Sequence, residues 1–181
     1  MESKTDLELL GSFAAGDDAA FEELFRRYRQ KAFNVAYRAL GSREAAEDVV
    51  IETFVRLYGG DLRIRQDFSS YFYRMVVNNS LSYMRRQRSH APLTDDISPD
   101  RQHSSDPMHM ALKNEAEEEA RRALDALPDS QKMAFILIKY EGLSYREASS
   151  IMKVSEKAVD SLMSRARAGL KKYFDKKEDK P

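Results

Sequence analysis

The chain has 181 residues, of which 30 are basic and 30 acidic, and it contains no cysteine. Disulfides, thiolate metal sites and cysteine nucleophiles are therefore excluded. Hydrophobic residues make up 42% of the chain, which is enough for a folded core, and no apolar run approaches the roughly 20 residues that span a bilayer. Because the polar N-terminus also lacks the pattern of a secretory signal, we expect a cytoplasmic protein.

The formal net charge of zero is a sum of unlike segments. Acidic side chains exceed basic ones in residues 1–60, with 11 acidic and 8 basic, and in residues 91–130, with 10 acidic and 4 basic. Basic side chains exceed acidic ones in residues 61–90, with 6 basic and 2 acidic, and in residues 131–181, with 12 basic and 7 acidic. Two basic blocks are thus separated by an acidic one. Despite the neutral total, parts of the chain could therefore bind a polyanion.

Seven glycines, five prolines and the absence of two-residue alternation predict an all-α protein. Apolar residues at helical spacing predict a helix over 21–40 that Gly41 closes, and Ser42 can cap a second helix that ends before Gly59. A third helix is expected over 69–88. Residues 89–110 hold three of the five prolines and all three histidines, so they predict a linker.

The helical pattern restarts over 115–127, breaks at Pro128 and resumes as far as Gly142. We therefore predict two small helical domains joined by a flexible linker. The expected divisions are 1–89, a linker over 90–114, 115–175, and a charged tail over 176–181.

Residues 144–172 have the outline of a helix-turn-helix. Ser144 and Glu147 have the spacing of a capping box, which predicts a short helix to Met152, and Ser155 can cap a long helix to about Lys172. An apolar stripe along this last helix leaves a polar, mostly basic face outward, which suits a DNA major groove. That face comprises Lys157, Asp160, Ser161, Ser164, Arg165 and Lys171. A solvated helix in an ordinary bundle would show the same spacing, so both interpretations stay open.

The predicted second helix carries two apolar stripes. Ala46, Val49, Val50, Phe54 and Leu57 form the first. Ile51, Val55 and Tyr58 form the second, which lies roughly 125 degrees around the helix and is flanked by Glu47, Asp48 and Glu52. Such a helix either lies deep in its own domain or keeps one face for a partner.

The predicted third helix combines aromatic and basic residues on one face. Tyr71, Arg74, Asn78 and Arg85 share this face, and Arg86 and Arg88 follow. Aromatic rings stack on unpaired bases, arginines neutralise phosphates, and an Asn amide can bind a base edge, so the face could hold single-stranded nucleic acid. The alternative is a surface helix whose arginine stems cover apolar area.

Other chemistry finds little support. The spacing of His90, His103 and His109 matches no helical pair of metal ligands. The sequence has no Gly-rich phosphate loop and no Ser, His and Asp grouping on a credible scaffold. We expect neither an enzyme nor a cofactor or metal site.

The order of these segments resembles the group 4, or extracytoplasmic-function (ECF), sigma factors of bacterial RNA polymerase. The segment over 21–58, with AAEDVVIETFVRLY, is similar to regions 2.1 and 2.2. FSSYFYRMVVNNSLSYMRRQR is similar to regions 2.3 and 2.4, and LDALPDSQKMAFILIKYEGLSYREASSIMKVSEKAVDSLMSRARAGLKKYF to region 4. Three strings in this order, around such a linker, are a specific signal.

The resemblance implies a promoter-specificity subunit and gives each face a partner. The beta-prime clamp of core polymerase would contact Glu47, Asp48, Ile51, Glu52, Val55 and Tyr58. The minus 10 element would contact Arg63, Arg65, Tyr71, Arg74, Asn78, Arg85, Arg86 and Arg88, with Asn78 lining the pocket of a flipped base. The minus 35 element would contact Ser144, Ser155, Lys157, Ala158, Asp160, Ser161, Ser164, Arg165 and Arg167.

The resemblance also implies the beta flap of polymerase as a partner, and an anti-sigma factor that in some members holds the sigma factor at the membrane. Ile51 stands where the family usually has Gln, and Lys153 where its turn usually has Gly. Two alternatives stay open: a helix-turn-helix regulator that acts without polymerase, and a helical adaptor that does not bind DNA. The regulator hypothesis gives the helix over 46–58 no partner, which separates it from the promoter-specificity subunit.

Overall fold

The computed structural model describes residues 4–60, 67–90 and 111–178, which form helices joined by short turns, with no strand among them. The helices are α1 (Asp6–Ala14), α2 (Asp18–Leu40), α3 (Arg43–Tyr58), α4 (Phe68–His90), α5 (Ala111–Asp125), α6 (Asp129–Phe135), α7 (Tyr145–Met152) and α8 (Glu156–Glu178). The predicted all-α class is confirmed. Within the described residues no helix is both long and apolar enough to cross a membrane.

Helix boundaries follow the capping residues. Gly41 ends α2 in a left-handed conformation with φ of 64°, which a residue without Cβ adopts at little cost. Ser42 then caps α3, since its hydroxyl accepts a hydrogen bond from the Ala45 amide at 3.3 Å. The predicted extents of α5 and α8 are too short: α5 begins at Ala111 instead of near residue 115, and α8 continues to Glu178.

Helix α1 was not predicted. Thr5 and Glu8 form a capping box at its start, and Leu9 and Leu10 are buried beneath it. Asp6 fixes the helix to α2, because its carboxylate accepts hydrogen bonds from the hydroxyl of Tyr28 and, at 2.8 Å, from Arg27. Burial and this acidic neighbour raise the pKa of the Tyr28 hydroxyl.

One turn departs from α-helical geometry. Directly after α6 the chain winds into a π-helical turn over Ile136–Tyr140. The amide of Glu141 donates to the carbonyl of Ile136, five residues back, at 3.1 Å. The hydrophobic pattern alone predicted a regular helix up to Gly142.

Aromatic side chains dominate the core of α2, α3 and α4. Phe72 is fully buried, and its ring centroid lies 4.8 Å from that of Tyr28 and 5.2 Å from that of Phe54. One buried polar pair is satisfied within this core: the Asn79 amide donates to the Thr53 hydroxyl at 3.0 Å.

The second half of the chain packs onto the first. Met133, Ile151, Val159 and Met163 are buried between α6, α7 and α8. These residues belong to the same hydrophobic cluster as the core of α1 to α4. In the described chain the two predicted domains therefore share a continuous apolar core.

Candidate protein and nucleic-acid interfaces

Helix α3 has one buried and one exposed apolar face. Ala46, Val49, Phe54 and Leu57 are buried against α2 and α4. The second stripe is open: Ile51 is 61%, Val55 63% and Tyr58 55% exposed. The interpretation that α3 lies deep in its own domain is therefore wrong. Three exposed apolar side chains on one helical face are typical of a surface that binds another protein.

The surroundings of this stripe are partly fixed by neighbouring side chains. The ring of Tyr58 packs against Phe13 at 5.2 Å and Phe21 at 5.1 Å between centroids. Glu52 lies 2.6 Å from Arg56 and 3.7 Å from Arg86. Glu47 is similarly paired with Arg43 and, like Asp48, is exposed. The stripe is therefore an apolar strip with an acidic border and a rigid aromatic end.

The predicted nucleic-acid face of α4 is only partly open. Asn78, Arg85, Arg86 and Arg88 are exposed and Tyr71 is half-buried. Arg74 instead reaches the second half of the chain, where its guanidinium donates to the backbone carbonyl of Ser150 at 2.8 Å. Arg88 likewise donates to the carboxylate of Asp129. Arg63 and Arg65 lie outside the described residues.

Helices α7 and α8 form the predicted helix-turn-helix. The capping box at Ser144 is present, and the pKa of the Glu147 carboxyl is lowered because it accepts from the Ser144 hydroxyl at 2.6 Å and from the Ser144 amide at 2.8 Å. Lys153 closes α7 in the left-handed region with φ of 55°, which is a conformation that favours glycine. Ser155 caps α8 by accepting from the amide of Ala158 at 3.1 Å.

The outward face of α8 is accessible as predicted. Val159, Met163 and Ala166 hold the helix against the rest of the domain. The polar residues that the spacing placed outward are exposed, except that Ser161 is half-buried. The exposed ones are Lys157, Asp160, Ser164, Arg165 and Lys171. Of the two residues that only the resemblance added, Arg167 is exposed and Ala158 is half-buried. This face is therefore open to solvent over most of its length.

Side chains that join the two halves were missed from the sequence. Glu141 accepts from the hydroxyl of Tyr73 at 3.0 Å and lies 3.5 Å from the guanidinium of Arg38. Lys132 is buried and donates to the backbone carbonyl of Ala39 at 3.2 Å. In the sequence, the position of Lys132 within an apolar helical run indicates that its side chain needs a buried acceptor, but it does not identify that acceptor.

No group of three or more acidic or histidine side chains among the described residues could hold a metal ion. Two of the three histidines, His103 and His109, lie outside those residues. The side chain of His90, the last residue of α4, is also outside the described part.

The chain is similar to proteins of one family over both halves. The model of sigma-70 region 2 matches residues 24–90 and that of sigma-70 region 4 matches residues 117–170. The ECF RNA polymerase sigma factor SigM of Mycobacterium tuberculosis is 32% identical over 171 residues, which cover 92% of this chain and 83% of that protein. The ECF sigma-E factor of Escherichia coli K12 is 29% identical over 180 residues, covering 93% and 94%.

Solved structures share the fold. CnrH, in complex with the cytosolic domain of CnrY, superposes with a TM-score of 0.68 at 24% identity and covers 94% of this chain and 97% of its own. The sigma factor RpoE of Bartonella quintana, in complex with the anti-sigma factor NepR, gives 0.59 at 20% identity and covers 86% and 96%.

The fold and both matched regions define a sigma factor of the sigma-70 family. Within that family the chain belongs to the ECF group, as the resemblance predicted. It is a promoter-specificity subunit that binds core RNA polymerase and directs transcription initiation, and it is not an enzyme. The two alternatives, a regulator independent of polymerase and an adaptor that does not bind DNA, are thereby set aside.

Proposed function

We propose that the exposed stripe of α3 is the surface that docks on the beta-prime clamp of core polymerase. The observation that carries this proposal is the exposure of Ile51, Val55 and Tyr58 on a helix whose other face is fully buried. Burying these side chains against a partner removes apolar surface from water, and Glu47, Asp48 and Glu52 can pair with basic side chains at the rim. The aromatic packing of Tyr58 reduces the entropy that docking must remove.

The face of α4 is proposed to capture the minus 10 element as a single strand. Asn78 is exposed and can donate to and accept from the edge of a flipped base, while Tyr71 offers a ring for stacking. Phosphates would be neutralised by a basic set that continues into the segment before α4. This set comprises Arg63, Arg65, Arg74, Arg85, Arg86 and Arg88. In this proposal residues 1–89 carry both polymerase docking and promoter opening.

The second half, residues 115–175, is proposed to bind the minus 35 element and the beta flap. Lys157, Ser164, Arg165 and Arg167 point outward from α8 and can contact base edges or phosphates of a major groove. Asp160 can accept only from a cytosine amino group and repels phosphate. The Ser144 and Ser155 hydroxyls already serve as helix caps, so they position α7 and α8 on the DNA.

An anti-sigma partner and a cytoplasmic location complete the proposal. CnrH is seen with CnrY and RpoE with the anti-sigma factor NepR, and both superpose on this chain. A membrane-tied partner would hold this chain at the membrane.

Promoter binding and strand opening by the complex with core polymerase test the site assignments. We expect Asn78→Ala to retain recruitment to a promoter fragment, measured by gel shift, and to lose strand opening, measured by permanganate reactivity of unpaired thymines. Gln87→Ala, which changes another exposed amide on α4, is the matched control. Equal loss of recruitment and opening in Asn78→Ala would contradict the assigned role.

A further inference from the structure

One acidic side chain lies within the basic outward face of α8. Over residues 157–174 Asp160 is the only acidic residue, whereas the same stretch carries five basic ones. The Asp160 side chain is exposed. Residues three and four positions apart are neighbours on a helix, so Asp160 lies between Lys157 and Ser164 on the surface proposed to meet the minus 35 element. A carboxylate at this place weakens the attraction of the face for DNA phosphates.

The fold itself makes no use of the Asp160 carboxylate. Glu147 completes the capping box of α7, and Glu156 lies in the first turn of α8, where the helix dipole favours an acidic side chain. Asp160 is the fifth residue of α8, beyond that first turn, and it has no hydrogen bond or ion pair with any described residue. The free protein therefore leaves this carboxylate hydrated and open to a ligand.

The position of Asp160 along α8 suits contact with base edges. In a helix-turn-helix the N-terminal residues of the second helix face the base edges of the major groove. Asp160 lies about 6 Å along the axis from Glu156, the first residue of α8. Arginine and lysine side chains are long enough to reach the phosphates at the borders of the groove, whereas the short aspartate side chain contacts the base pair beneath the helix.

The four bases differ in what they offer a carboxylate, which only accepts hydrogen bonds. Cytosine presents its N4 amino group in the major groove. Adenine also presents an amino group, but its N7 acceptor lies beside it and repels a carboxylate. Guanine and thymine present acceptors and no donor. Cytosine is therefore the one base that offers Asp160 a donor without an acceptor next to it on the same base.

The wrong bases cost more binding free energy than the right base gains. Docking in the groove removes water from the Asp160 carboxylate. The cytosine amino group replaces a hydrogen bond to water by one of similar strength, so the net gain is small. Guanine or thymine returns no hydrogen bond and places acceptor atoms beside a desolvated charge, which carries the full cost of desolvation.

We infer that Asp160 selects the minus 35 element by rejection: it excludes promoters that present guanine or thymine beneath this part of α8 and admits those that present cytosine. This inference rests on the proposed contact between α8 and the minus 35 element. The basic side chains of the same face hold the phosphates of every sequence alike. The carboxylate supplies the discrimination between sequences that these contacts lack.

Promoter fragments that differ at single base pairs test this inference. The complex with core polymerase is titrated, at one salt concentration, with fragments of a promoter whose start site is mapped, and each fragment carries one of the four bases at one position of the minus 35 element. Fluorescence anisotropy gives Kd. For the wild type we expect one position at which cytosine, on one of the two strands, binds about 5- to 150-fold more tightly than guanine or thymine, the usual cost of one mismatched base pair.

Two substitutions and a control isolate the carboxylate. Asp160→Ala should bring the guanine and thymine fragments within about twofold of the cytosine fragment, mainly because they bind more tightly. Asp160→Asn should favour adenine at this position, since an Asn amide pairs with both N6 and N7 of adenine. Asp175→Asn makes the same chemical change at an exposed position about 22 Å further along α8 and should keep the preference of the wild type.

The inference is overturned if Asp160→Ala keeps the discrimination, or loses it only because the cytosine fragment binds more weakly. Helical circular dichroism checks that each variant is folded. If Asp160→Ala is not folded, Asp160→Asn decides, because the amide keeps the size and shape of the carboxylate; an unchanged preference for cytosine there also overturns the inference. A wild-type complex whose Kd is the same for every base of the minus 35 element would instead refute the proposed contact between α8 and this element.

Discussion

Replacing Ile51 with alanine should weaken polymerase binding about tenfold while leaving the free protein folded. The substitution removes three carbon atoms, each worth about 0.8 kcal/mol when it is fully buried. In the free protein Ile51 is 61% exposed, so this share of the burial, about 1.5 kcal/mol, is gained only on docking. A loss of that size raises Kd about tenfold.

The assay is a titration of labelled protein with core polymerase, followed by fluorescence anisotropy, together with thermal unfolding of the free protein. The share of Ile51 that is already buried contributes about 1 kcal/mol to folding, so Tm should fall by only about 2–4 °C. Leu7→Ala is the matched control. It also removes three carbons, from a side chain that is 44% exposed on α1. The docking assignment is wrong if Ile51→Ala binds polymerase within about twofold of the wild type, or if Leu7→Ala weakens binding equally.

Three further substitutions test local features by denaturant and thermal unfolding. Lys132→Met should lower the free energy of unfolding by about 1–3 kcal/mol, because it leaves the buried Ala39 carbonyl of α2 without its donor and removes the hydrogen bond to Asp125; an unchanged free energy of unfolding would mean that this contact does not hold the halves together. Lys153→Gly should raise the free energy of unfolding by about 0.5–1 kcal/mol. Glycine relieves the left-handed backbone strain, although the more flexible unfolded chain offsets part of this gain; a lower free energy of unfolding would show that the strain is not relieved. Ser144→Ala should cost about 1 kcal/mol at neutral pH. The folded-state pKa of Glu147 lies below its ordinary 4.5, so the stability from this cap is present above pH 4.5 and is lost as the pH falls through the lowered value. The difference in the free energy of unfolding between Ser144→Ala and the wild type should therefore shrink in acid. A difference that does not change with pH would count against the Glu147 contact.

Local signals in the sequence predicted the helices and the exposed stripe because their causes are local. Ser42 and Ser144 precede their helices at capping distance, and each accepts the amide that the spacing indicates. The 3.6-residue period placed Ile51 and Val55 on a separate face from Val49, and the structure separates them in the same way. Whether that second face would be buried could not be read from α3 alone, since burial depends on what the rest of the chain covers.

Other features depend on contacts between distant residues, and no local pattern encodes these. Helix α1 has a capping box at Thr5, but its nine residues are too few to be stable alone and need Leu9 and Leu10 buried under other helices. Arg74 shares a helical face with Asn78, yet its guanidinium bonds a carbonyl 76 residues further along the chain. The predicted roles of Arg74 and Asn78 stay predictions until the variants are measured.

The π-helical turn over Ile136–Tyr140 sets the angular position of Glu141, the residue that follows it. A residue inserted into an α-helix rotates the next side chains by about 100 degrees, and this turn accommodates such an extra residue without breaking the helix. At this angle the Glu141 carboxylate meets Tyr73 and Arg38. A single-residue deletion within the turn would therefore swing the carboxylate away from both donors. The register of one helical turn thus decides whether Glu141 can join the two halves of the molecule.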